Sequence, residues 1–192
     1  MGSEKQKRVF APLGMKCTNT DCEHGLHYFK PTKKHPLGRC RNCGAAPVDW
    51  DRLHKKDIQD VAHTISALQN ECIRHQMWRA AIDEEALRKA HALGLNGLRL
   101  AAERRIRTKS FSGVPHPVYD GRQTPMHGNV VYYAQHATAT CCRKCIYYWH
   151  GIPQDRPLRE DEIAYLTELI MVYCQKRLSS LATQDGVRPE RQ

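Results

Sequence analysis

Gln135-His136-Ala137-Thr138-Ala139-Thr140-Cys141-Cys142-Arg143-Lys144-Cys145, running on to Trp149-His150-Gly151-Ile152-Pro153, is the stretch around which the chain is organised. Three cysteines and two histidines fall between His136 and His150. Thiolates and imidazoles at that density make a poor apolar core and a good soft-metal site. Cys142-x2-Cys145 has metal-knuckle spacing, and the expected ligand set is His136, Cys142, Cys145 and His150. His116, His127 or Cys141 are the alternatives if one of these falls away.

The remaining cysteines widen the case for metal. Cys17-x4-Cys22 and Cys40-x2-Cys43 are two ligand pairs, the second set as Gly38-Arg39-Cys40-Arg41-Asn42-Cys43-Gly44. Small residues let the backbone turn so that amide N–H groups face the sulfurs. Four cysteines close a tetrahedron with no open position, which is a structural zinc site. The stretch from Lys16 to Trp50 resembles a zinc ribbon. The long gap in its first pair leaves His24 or His27 able to replace Cys22. Two zinc ions are therefore expected. The odd total of nine cysteines argues against a disulfide framework.

The chain has 192 residues, a formal charge of +10 and a sequence pI near 9.3. That balance favours polyanionic partners, DNA or RNA first. Lys30, Lys33, Lys34, Arg39 and Arg41 lie beside Tyr28 and Phe29, a mixture that tracks phosphates and stacks on bases. Arg104, Arg105, Arg143 and Lys144 add basic groups further on. No apolar run reaches membrane-spanning length and the charged N-terminus has no apolar segment behind it, so a cytoplasmic protein is expected.

From Asp57 the pattern turns helical, with Ile58, Val61, Ile65, Leu68 and Cys72 on one stripe. Cys72 reads there as a small core residue. Asp83-Glu84-Glu85 opens a second helix that Gly94 ends, and Asn96 caps a third, arginine-rich one from 97 to 108. Gly and Pro punctuate 110–129, which leads into an expected strand, Val130-Val131-Tyr132-Tyr133-Ala134. Glu160, Asp161 and Glu162 start a last helix, whose apolar side carries Ile163, Leu166, Leu169, Ile170, Tyr173 and Leu178.

The reading is a mainly α protein with a small β element (α+β). A zinc ribbon with a basic tail, 1–50, precedes a helical metal-binding domain, 51–182, and a flexible tail, 183–192.

Asp120-Gly121, Gln123-Thr124-Pro125-Met126, Gly128, Ala134 to Arg143, Cys145 and Trp149 to Pro153 together resemble an uncharacterised bacterial family, a domain of unknown function. The resemblance covers about 84–178. It implies a domain boundary and no activity. Arg159 stands where that family has a capping Thr or Ser, and the ribbon is an addition to the family's short domain.

Two functions follow from the residues. One is a zinc protein that contacts nucleic acid through the ribbon and a basic helical surface. The other is a metal-dependent hydrolase, such as a nuclease, using three ligands around Cys142, Cys145 and His136. There, His127 or His150 would act as acid or base. A nucleophilic Cys141, activated by His136, is a third idea.

Overall fold

A computed structural model describes residues 16–29, 38–110 and 124–178. Its helices are α1 (Asn19–Glu23), α2 (Trp50–His54), α3 (Val61–Gln69), α4 (Cys72–Arg79), α5 (Glu84–Ser110), α6 (Val130–Ala137), α7 (Arg143–His150) and α8 (Glu160–Arg177), with a 3-10 turn at Ile58–Asp60. The described residues contain no strand, only one isolated parallel bridge between His27 and Glu71.

The expected strand at 130–134 is therefore the start of α6, and the β element is not there. Asn129 decides this locally, because its Oδ1 accepts from the Val131 N–H at 2.9 Å and caps the helix. A short apolar run buried on every side carries no period that separates strand from helix. Val130, Val131, Tyr133, Ala134, Gln135, His136 and Ala137 are all buried.

α8 is the centre of the molecule. It packs against α5, α6 and α3, and it buries Ile163, Tyr165, Leu166, Leu169, Ile170, Met171, Tyr173 and Cys174. A helix apolar on nearly every side belongs inside a bundle. Its start is fixed without a Ser or Thr. Glu162 Oε2 accepts from the Arg159 N–H at 2.9 Å, and the same carboxylate takes both Nη atoms of Arg156 at 2.7 and 2.8 Å.

α5 is interrupted where the sequence puts a break. Gly94 has φ 61° and ψ 179°, a region that only glycine occupies without strain. The single stripe expected from Ile58 to Cys72 is instead divided. Asp57 caps the 3-10 turn through the Gln59 N–H at 2.8 Å, and Glu71 caps α4 through the Arg74 N–H at 3.2 Å. Ile58 is left 43% exposed, whereas Ile65, Leu68 and Cys72 are buried, Cys72 as a core residue.

Among the described residues 16–29 and 38–50 no ribbon strands are seen; these segments hold α1, tight turns and the bridge. Thr18 and Asp21 make a capping box, Asp21 N–H to Thr18 Oγ1 at 3.1 Å and Thr18 N–H to Asp21 Oδ2 at 2.7 Å, which starts α1 and presents Cys22. This segment packs on the helices through aromatic rings. Trp50 and Trp149 have centroids 5.0 Å apart, and Phe29 meets each of them edge-on at 5.9 Å. Tyr148 Oη donates to the Phe29 carbonyl, and Trp50 Nε1 donates to the Gly38 carbonyl at 3.2 Å. A Cβ on Gly38 would sit 2.6 Å from Trp50 Nε1, so that close approach requires glycine.

Candidate metal centres

The first centre is made by three short segments meeting. Sγ–Sγ separations are 3.5 Å for Cys17–Cys40, 3.6 Å for Cys17–Cys22 and 3.8 Å for Cys22–Cys40. A zinc tetrahedron with Zn–S near 2.3 Å has an edge of about 3.8 Å, so these spacings fit zinc. Cys43 joins them, since the ligand atoms of Cys22, His27, Cys40 and Cys43 all lie within 4.8 Å of one another.

His27 thus takes a place in the mutually close set, while Cys17 lies near Cys22 and Cys40 but outside that set. His27 Nδ1 is 3.6 Å from Cys43 Sγ, a place from which it either ligates or donates to the thiolate. Its backbone is held by the bridge: its N–H reaches the Asn70 carbonyl and its carbonyl takes the Cys72 N–H, both at 2.8 Å. His24 caps the end of α1 and lies outside the group.

Amide hydrogens point at the sulfurs as the small residues suggest. The Asn42 backbone N–H reaches Cys40 Sγ at 3.4 Å, and Asn42 Nδ2 reaches Cys22 Sγ at 3.5 Å. Burial opposes ionisation of Cys40, but N–H groups of Tyr28, Cys43 and Asn42 win and bring its thiol down to about 5. Burial, then the neighbouring thiols, push Cys17 upward.

The second centre is Cys141, Cys142 and Cys145, again within 4.8 Å of one another. Cys142 is the N-cap of α7, its Sγ accepting the Cys145 N–H at 3.4 Å. The signal missed in the sequence is Arg74. This buried guanidinium donates to the His136 carbonyl at 2.5 Å through Nη1 and to Cys145 Sγ at 3.5 Å through Nη2. Its Nε lies 3.4 Å from the buried Glu71 carboxylate, an ion pair without hydrogen-bond alignment. Burial raises the Glu71 carboxyl, and the Arg74 charge pulls it back. A cation among three thiols is the counter-charge that a thiolate site needs in a dry interior.

His136 and His150 are not in this group. His136 Nε2 pairs with the Thr124 carbonyl and His150 Nε2 with the Thr138 carbonyl, each at 3.0 Å. His150 is fully buried, with Nδ1 3.5 Å from Tyr165 Oη. Both imidazoles hold loops rather than a cation. Burial first, then the positive charges around it, push His150 down to about 3, so it holds no proton to give near neutrality. Cys141 is pushed up by the thiols of Cys142 and Cys145 and then by burial, the reverse of an activated nucleophile. His127 is exposed beside Asp83 and stands apart from the cysteines.

His150 makes acid sensitivity testable. Its folded pKa lies below the ordinary 6.5, so the unfolded chain binds the extra proton. The stabilisation is complete above pH 6.5 and is lost as pH falls from there toward 3. By pH 4.5 it costs on the order of 2 to 3 kcal/mol. Urea unfolding at pH 7 and 4.5 should show this loss, and His150→Gln should flatten it. An equal slope in both proteins would refute the assignment.

Among the basic residues, Arg143 is not on a surface. It is 3% exposed, and its Nη2 donates to the Arg156 carbonyl at 2.6 Å and to the Pro153 carbonyl. Lys144, Arg39 and Arg104 are exposed, while Arg41 and Arg105 are half-buried and lie over the rings of Tyr28 and Tyr132. Lys30, Lys33, Lys34 and His116, with the tail at 183–192, fall outside the described residues.

Fold and clusters together define a helical protein with two cysteine-rich groups able to hold metal ions. The chain belongs to a family described as a domain of unknown function (DUF4186), whose model matches residues 62–175. That span begins ahead of the 84 expected from the sequence and includes the second cluster but not the first. No solved structure matches the chain. No helix among the described residues is long and apolar enough to cross a membrane.

Proposed function

We propose that this is a zinc protein that contacts nucleic acid. Zinc at Cys17, Cys22, Cys40 and Cys43, with His27 beside them, holds the N-terminal segment. Zinc at Cys141, Cys142 and Cys145 ties α7 to α4 through Arg74. The observation that carries the metal half is the set of Sγ–Sγ distances, 3.5 to 3.8 Å, in the first group. Net charge and the arginines laid on Tyr28 and Tyr132 support the polymer half. Lys30, Lys33 and Lys34 extend the basic stretch in sequence. The cytoplasm suits the nine free cysteines, since thiolate clusters persist where reductants are abundant.

Metal analysis of the purified chain should return two equivalents of zinc. Affinity for labelled DNA and RNA should fall steeply with salt, with a log–log slope of about −3 to −4 if four phosphates are neutralised. One equivalent of metal would remove the second site. A flat salt response would remove the polymer.

The hydrolase reading keeps one supporting observation: the second group musters three cysteines among the described residues. Three ligands leave a position for water, the arrangement that hydrolytic zinc uses. Oligonucleotide cleavage lost in Cys145→Ser would favour it, and no cleavage by the zinc-loaded chain would dismiss it.

A further inference from the structure

Between the C-terminal half of α5 and the start of α6 runs a groove of about 270 Å³. Arg104, Arg105 and Thr108 form one wall, Asn129 and Tyr132 the other, over Val131. No carboxylate lines it among the described residues. The arginines one turn away on the same helix are neutralised, Arg99 by Glu168 at 2.9 Å and Arg107 by Glu103 and Glu160 at 2.8 and 2.5 Å. Arg104 and Arg105 have no such partner among the described residues, and the Arg105 Nε is buried without a hydrogen bond. Guanidiniums without an acidic partner among the described residues, beside paired ones at a concave wall, mark an anion site.

Arg105 is already positioned for more than charge. Its Cζ lies over the Tyr132 ring, 5.2 Å from the centroid, within cation–π range, and a guanidinium is a group on which a flat ring can stack. Asn129 uses its Oδ1 as the α6 cap, so its amide donors remain for a ligand. Thr108 donates its hydroxyl to the Arg104 carbonyl at 2.8 Å, fixing that turn.

We infer that this groove binds a single nucleoside phosphate unit, with the base stacked on Arg105 over Tyr132 and the phosphate on Arg104. The volume is at the small end for ligand pockets, enough for one such unit. The unit comes from a single-stranded polynucleotide or from a free nucleotide. The first source rests on the proposed nucleic-acid reading; the second does not.

The experiment uses the full zinc-loaded chain. A fluorescein-labelled single-stranded oligonucleotide is followed by anisotropy, and adenosine monophosphate by calorimetry. The variants are Arg104→Gln, Arg105→Gln, Arg105→Lys and, as a charge control off the groove, Arg88→Gln. Each groove Gln variant should lose roughly tenfold to a hundredfold in affinity, and Arg88→Gln much less. Arg105→Lys keeps charge and loses the flat face, so it should behave as Arg105→Gln.

Oligonucleotide affinity equal in the groove variants and the control overturns the groove and leaves the nucleic-acid reading standing. Binding of the mononucleotide alone, lost in the groove variants, supports the groove and overturns that reading. No binding of either probe overturns both. Unchanged thermal melting of the variants, whose side chains are surface or half-buried, keeps each comparison free of unfolding.

Discussion

Cys40→Ser is expected to release one zinc equivalent and to detach the N-terminal segment from the helices, at a cost of several kcal/mol. Cys40 is completely buried and its sulfur touches those of both Cys17 and Cys22. Serine there removes a ligand and leaves the other sulfurs unneutralised. Residues 16–29 and 38–50 contribute few apolar side chains of their own, chiefly Leu26, Tyr28, Phe29, Val48 and the rings packed on α7. Metal is then the larger part of what orders them. The tryptophans report the event, because Trp50 and Trp149 are in contact only while the segment is seated. Chelation should shift their emission to the red, and added zinc should restore it. Binding should also expel protons, since Cys17 is held above the ordinary thiol range before metal arrives. A blue emission that survives complete chelation would refute the account.

Arg74→Met is the second large effect. The substitution conserves most of the volume and the apolar stem but deletes a buried cation that serves the His136 carbonyl, Cys145 Sγ and Glu71 together. Breaking a buried pair from one side costs about 3 to 5 kcal/mol, because the remaining charge has no water to turn to. Urea unfolding measures it. Adding Glu71→Gln should return part of the loss, since the stranded carboxylate is then gone. Arg74→Lys should fail to rescue, as one ammonium cannot reach three groups that the planar fork spans. If Arg74→Met loses less than about 1 kcal/mol, the guanidinium is not the keystone between α4 and the second cluster.

Much of this was legible in the chain because it is written in local spacing. Cys22, Cys40 and Cys43 come together with His27, Gly94 breaks α5, and the acids at Glu160 to Glu162 open α8. What was not legible depends on what surrounds a side chain. Val130 to Ala134 reads as strand until the capping Asn129 and burial on all sides are known. His136 and His150 look like ligands by their nearness to cysteine, yet the nearest suitable acceptors in space are the Thr124 and Thr138 carbonyls. Arg74 lies sixty-two residues from His136 in sequence and no periodicity joins them. Arg143 has the composition of a phosphate contact and the position of a strut.

The ring contacts between Phe29, Trp50 and Trp149 also bear on how the chain can be cut. A truncated protein trimmed to the matched family span would retain all but the last two residues of α8 and the whole second cluster. It would nonetheless lay bare one side of the Trp149 indole, together with Tyr148, where two aromatic lids had been. Bare indole in water invites self-association. Recombinant fragments starting after Trp50 should therefore precipitate where the longer chain stays dispersed.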